Sequence, residues 1–95
     1  MGDFDITRED GGSRGRYVAR IDGQEAELTF ARAGGGVLIA DHTGVPPALE
    51  GRGIGGALVD RLVADARREG LKIVPACSFV AARFRAHPDW SDLLA

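Results

Sequence analysis

The chain has 95 residues, of which 44% are hydrophobic and 27% charged, and a formal net charge of −2 at pH 7. That is enough for one small core, too little for a separate substrate domain, and ordinary for a soluble globular protein. The acidic balance excludes the basic surface on which nucleic-acid binding depends and gives no attraction to an anionic membrane, while no stretch approaches the ~20 apolar residues of a membrane span. The start, Met1-Gly2-Asp3-Phe4-Asp5, lacks the charged and apolar regions of a signal peptide. A single cysteine, Cys77, can form no internal disulfide. The length sets the expectation of a single domain over residues 1–95, and the lone cysteine and the missing signal peptide that of a reducing cytoplasm.

Phe4 and Ile6, then Tyr17, Ala19 and Ile21, alternate with polar residues as half-buried strands do. Asp10-Gly11-Gly12-Ser13 and Asp22-Gly23 are turns, the second a hairpin signature. Ala26, Leu28 and Phe30 alternate against Glu25, Glu27 and Thr29 on a third strand. Gly34-Gly35-Gly36 leads into Val37-Leu38-Ile39-Ala40, a continuous apolar run that predicts a central strand buried on both faces. Residues 4–45 thus read as an antiparallel meander of four strands.

After Pro46-Pro47 the period changes. Leu58, Val59, Leu62, Val63 and Ala66 fall at helical spacing, with Asp60, Arg61, Arg67 and Arg68 facing away and Gly70 as a left-handed cap. Lys72–Ala76 reads as a short strand lying beside the fourth through a crossover. Ser78 is placed to cap a second helix carrying Phe79, Val80 and Phe84, which stops at His87-Pro88. Trp90, Leu93 and Leu94 predict a terminal turn packed back on the core. The fold class is α+β: antiparallel N-terminal strands followed by a β-α-β-α unit.

The feature with most chemistry is the turn Glu50-Gly51-Arg52-Gly53-Ile54-Gly55-Gly56, set between the strands and the long helix. Glycines let the backbone turn sharply and approach a ligand, and the helix that begins here aims unpaired N–H groups at the same place. The segment reads as an anion cradle, or as no more than a Gly-rich entry into a helix. Gly51, Gly53 and Gly56 spell the dinucleotide fingerprint. That motif, however, belongs after the first strand of a βαβ unit, with an acid on the next strand, and here four antiparallel strands precede it. A Walker A loop is excluded because no Lys-Ser/Thr follows the glycines.

The segment from Val45 to Ala57 resembles motif A of the GNAT superfamily of acetyl-coenzyme A-dependent N-acetyltransferases, Q/R-x-x-G-x-G/A, with Gly53 and Gly55 at its two glycine positions. The run of His42-Thr43-Gly44-Val45-Pro46, Gly51–Gly55, Gly70–Pro75, Cys77-Ser78-Phe79-Val80 and His87-Pro88 is similar to the very short members of that superfamily. The resemblance implies a GNAT-like fold and acetyl-coenzyme A as acetyl donor. Its cradle is expected from Gly51, Arg52, Gly53, Ile54, Gly55 and Gly56, with the Val45 N–H meeting the pantetheine arm between the last two strands. The acceptor would be an amine, of a kind the resemblance does not specify; no metal is expected. Two departures stand out: Glu50 replaces the motif's Gln or Arg, and the superfamily's general-acid tyrosine is missing, with Phe84 near its place and Tyr17 the only tyrosine.

Cys77 closes the last strand just before a helix, where the helix dipole favours a thiolate. In the short members a cysteine here resembles an acyl relay; the other reading is a small apolar residue filling the core. His42, late in the fourth strand, is placed to deprotonate an ammonium or to make a strand-end hydrogen bond. Pro75 is expected to interrupt pairing with the central strand. The activity expected is acetyl transfer to an amine, and the rival is an acyl-coenzyme A-binding module without catalysis.

Overall fold

In the computed structural model, which describes residues 4–95, the sheet has five strands in the order β1-β2-β3-β4-β5. The reading of Met1–Asp3 lies outside the described residues. β1 (Ile6–Asp10), β2 (Arg14–Ile21), β3 (Gln24–Ala33) and β4 (Val37–Gly44) form the antiparallel meander. The Asp22-Gly23 hairpin has both residues at positive φ, 53° and 75°, as a tight type I′ turn requires. Helix α1 (Ile54–Glu69) then crosses over so that β5 (Lys72–Pro75) lies parallel to β4. Helix α2 (Ser78–Ala86) and a 3₁₀ turn over Pro88–Leu93 complete the chain.

Both helices pack on one face of the sheet. Tyr17, Leu28, Phe30, Leu38 and Ile73 from the sheet, Leu58 and Leu62 from α1, and Val80 from α2 share one core. Each such large apolar side chain contributes about 1.5–3 kcal/mol by leaving water. Gly70 ends α1 in the left-handed region, φ 71°, with its N–H on the Ala66 carbonyl. Trp90 and Leu93 fold back on the core as expected, but Leu94 stays exposed and instead bridges to Ile73 at the outer side of β5.

Among the described residues no helix lies over the other sheet face, which corrects the reading of β4 as buried on both sides. Leu38 and Ala40 are buried, while Val37 and Ile39 are only half-buried. In place of a helix, Arg16 bridges Glu9, Glu25 and Glu27, Arg20 bridges Glu9 and Glu25, and Arg14 pairs with Asp41. Val18, facing the same side, is 1% exposed among these charged side chains.

One charge lies inside. Asp65 of α1 is 1% exposed. It accepts a hydrogen bond of 2.8 Å from the Tyr17 hydroxyl and pairs with Arg8, Arg61 and Arg68. Arg61 therefore does not face away as its spacing predicts. It is half-buried against the sheet and also donates to the Ile6 carbonyl.

Candidate active site

The site begins at an irregularity in β4. Phe30 pairs with Ala40 but Thr29 pairs with His42, so Asp41 is an extra residue, a β-bulge. Asp41 is fixed there by the Thr29 hydroxyl at 2.6 Å and by Arg14 at 2.8 Å. The bulge resets the alternation: Asp41 and His42 both face the helix-free side, and Thr43 turns to the helix side.

β4 continues to Gly44, but β5 leaves it after the Ala40–Pro75 pair. Pro75 does not cause this, contrary to expectation. The ladder register turns its nitrogen away from β4, and the next residue, Ala76, still donates to the Ala40 carbonyl at 3.0 Å. The strands part because Cys77 donates to that same carbonyl as the chain turns into α2.

Beyond the parting lies a cleft of about 490 Å³ on the helix side. Its walls include Thr43, Gly44 and Val45 of the β4 end, Leu49 and Glu50, and Gly51, Gly53, Ile54, Gly55 and Gly56 of the turn, closed by Phe79. Gly51 and Gly53 have φ of 83° and 80°, and a Cβ on either would point into open space. Only glycine adopts that backbone without strain. Gly55 gives room to Phe79, since a Cβ there would stand 2.8 Å from the tip of that ring and push it aside. Gly53 is the N-cap of α1 and no side chain caps the helix, so the first N–H groups of α1 are left for a ligand. Only Ala57 begins the intrahelical bonding, to the Gly53 carbonyl at 3.0 Å.

Arg52 does not line the cleft: it reaches Asp22 in the β2–β3 hairpin at 3.3 Å. Glu50 does line it, the one charged residue to do so among the described residues. Its replacement by Gln is expected to tighten binding of a phosphate-bearing ligand by a few tenths to about 1 kcal/mol, less as salt is added. Titration calorimetry with coenzyme A at two ionic strengths measures this; weaker binding would give the carboxylate a positive role.

Cys77, not Ser78, is the N-cap of α2, and Ser78 is its first residue. The Cys77 sulfur is half-buried and 3.5 Å from the Thr43 hydroxyl. Burial pushes the thiol up. The Thr43 hydroxyl and the N–H groups of Val80, Phe79 and Thr43 outweigh that and hold it below its ordinary value. His42 is not brought to Cys77. It lies on the opposite sheet face, its side chain 58% exposed, with Nε2 3.6 Å from a Glu27 oxygen.

Tyr17 is remote from this chemistry, locked on Asp65, and Phe84 is buried edge-on against Trp90 at 5.2 Å. Thr43, Leu49 and Phe79 are cleft residues that the sequence reading did not single out. Phe79 meets Gly55 only through the packing of α2 on α1, and Thr43 depends on the bulge, so the sequence carried no signal for either.

The family model of GCN5-related N-acetyl-transferases matches residues 16–93 of this chain. No curated protein matches it significantly. Among solved structures, the chain is similar to the NMR solution structure of a GCN5-like protein from Staphylococcus aureus, itself a proposed N-acetyltransferase. The identity is 28% and the TM-score 0.73, over 100% of this chain and 91% of that one. The family model spans residues 16–93 of the 95, and the chain belongs to the GCN5-related N-acetyltransferase family.

Proposed function

We propose that residues 1–95 form a single-domain N-acetyltransferase that moves an acetyl group from acetyl-coenzyme A to an amine. The observation that carries this is the open set of α1 N–H groups at a strain-free glycine turn, facing a cleft where β4 and β5 part. The residues fit the donor. Gly51, Gly53, Ile54, Gly55 and Gly56 offer backbone N–H groups to its phosphates, with Arg52 free to leave its exposed partner. Val45, the residue after β4, offers its N–H to the pantetheine arm or the acyl carbonyl. Bound there, the donor supplies an acetyl group already activated as a thioester.

The chain's own chemistry is assigned to Cys77 and His42. The Cys77 thiolate, stabilised by Thr43 and the start of α2, attacks the acetyl carbon; its C–S bond forms as the bond to coenzyme A breaks, and coenzyme A leaves as its thiolate. The amine nitrogen then attacks that acetyl carbon, the new C–N bond forms, the Cys77 C–S bond breaks to restore the thiolate, and the proton the nitrogen sheds passes through solvent to the coenzyme A thiolate. His42, beside Glu27, receives the proton of an ammonium arriving from the helix-free side. Among the described residues no helix is long and apolar enough to cross a membrane. The proposed setting is cytoplasmic, with the donor and a still unspecified amine as partners and with neither nucleic acid nor a membrane among them.

Amide NMR tests the reading. Coenzyme A is expected to shift Gly51–Gly56 and Val45 and to leave the β1–β2 hairpin in place. Gly53→Val, which forces a β-branched residue to a φ of 80°, is expected to abolish those shifts while the rest of the spectrum stays folded. Uniform shifts, or none, would remove the central claim. One observation favours the alternative of a binding module without catalysis: the only tyrosine is committed to Asp65. Coenzyme A binding with no thiol release from acetyl-coenzyme A across an amine and peptide panel would establish it.

A further inference from the structure

A ligand with several phosphates meets an unusual wall in this cleft, since the side chains lining it include one acid and no base. The nearest cations stand just outside. Arg52 is part of the turn. Arg83 comes from α2 and lays its guanidinium against Gly56, with Cζ 3.2 Å from where a Gly56 Cβ would be.

Three features of Arg83 are unexplained by folding. Its Nε is buried with no hydrogen-bond partner, although a buried guanidinium N–H ordinarily has one. Its Nη2 has a single contact, 3.3 Å to Asp60, whose side chain is 59% exposed. Lastly, a cation beside the N-terminus of α1 has the wrong sign, because the helix already presents its positive end there. Two positive groups side by side with an unsatisfied donor are stable together once an anion lies between them.

We infer that Arg83 is a phosphate-binding residue of the donor site, held in the free protein by Asp60 and handed to a phosphate group when the donor binds. This rests on the acetyl-coenzyme A reading above and adds a residue to it. Gly56 then has a specific use: any side chain there would stand between the guanidinium and the helix terminus. Asp60 acts as an internal competitor. An exposed pair with one 3.3 Å contact is weak, and a phosphate offers a charge-assisted, bidentate alternative. Arg52 and Asp22, also 3.3 Å apart and exposed, repeat the arrangement on the hairpin side of the turn.

The test measures the Kd of coenzyme A by calorimetry for the wild type, Arg83→Gln, Arg83→Lys and Asp60→Asn, with amide spectra to verify the fold. Arg83→Gln is expected to raise Kd about tenfold, Arg83→Lys to recover part of that, and Asp60→Asn to lower Kd about two- to threefold. Repeating the series with dephospho-coenzyme A identifies the phosphate. Equal loss in Arg83→Gln for both ligands assigns the contact to the pyrophosphate, and loss only with coenzyme A assigns it to the 3′-phosphate. An Arg83→Gln protein that binds both ligands as the wild type does would overturn the inference and leave the acetyl-coenzyme A reading standing. So would an Asp60→Asn protein that binds more weakly. If the wild type binds neither ligand, it is the acetyl-coenzyme A reading that fails, and the role of Arg83 falls with it.

Discussion

Cys77→Ser is expected to keep coenzyme A binding and to lose acetyl transfer by about a hundredfold or more. Binding survives because the cradle is backbone from Gly51 to Gly56, while the serine hydroxyl is far too weak an acid to replace a thiolate at neutral pH. Because the groups around Cys77 hold its thiol below the ordinary value, more of it is thiolate than in an unfolded chain at the same pH. Alkylation by iodoacetamide is therefore expected to run faster than for free cysteine and to slow when coenzyme A is bound. Incubation with acetyl-coenzyme A is expected to add one acetyl group that hydroxylamine removes. A Cys77→Ala protein transferring acetyl at the wild-type rate would make the amine's attack direct, reduce Cys77 to packing, and leave His42 or a water as the base.

Asp65→Ala is expected to cost about 3–5 kcal/mol of stability, the usual result of removing one partner from a buried ionic cluster. The Tyr17 hydroxyl would lose its acceptor, and Arg8, Arg61 and Arg68 would lose the carboxylate on which they converge. Against a total of about 5–15 kcal/mol for such a domain, that loss brings the chain close to unfolding. The cluster also sets an acid limit. Burial pushes the Asp65 carboxyl up, but hydrogen bonds from Tyr17 and Arg68 and the charge of Arg61 outweigh it and hold the group below the usual carboxylate range. With its folded value depressed, Asp65 gives its full stabilisation above the unfolded value of about 3.9 and loses it as pH falls through the lower folded value. Urea unfolding at neutral pH and through the acid range measures both effects. An Asp65→Asn protein with the wild type's stability and acid limb would contradict this account.

The meander, the crossover helix and the glycine turn were legible because each has a local cause. Tyr17/Ala19 and Ala26/Leu28/Phe30 alternate with period two, Leu58/Leu62/Ala66 recur with the helical period, and Gly51 and Gly53 stand where φ must be positive. What was not legible depends on partners distant in sequence. Strict alternation from Val37 puts His42 on the helix side with Leu38 and Ala40, and no residue type at Asp41 announces the bulge that reverses it. Asp65 looks like any helix-surface acid until Tyr17, 48 residues earlier, is folded against it. Arg61 follows from the same pairing. Pro75 was misread because which ladder side a strand nitrogen faces is set by register, not by the proline. The uncovered sheet face escaped notice for a similar reason: an apolar run reports that β4 is central, not how many layers pack on it.

That uncovered face also has a thermal consequence. A second layer of helices would have stabilised it by apolar burial, whose benefit per unit area levels off on heating. This chain uses a lattice of arginines and carboxylates around Arg16 and Arg20. The cost of desolvating ions falls as temperature rises, so a lattice contributing little per pair in the cold contributes more as the solution warms. The reserve is electrolytic: ions screen exposed pairs over a Debye length of about 8–10 Å at ordinary salt, while the Asp65 cluster on the other face is shielded by burial. Brine and heat therefore act in opposition on the same surface, and the melting temperature of this domain is expected to fall as salt is added.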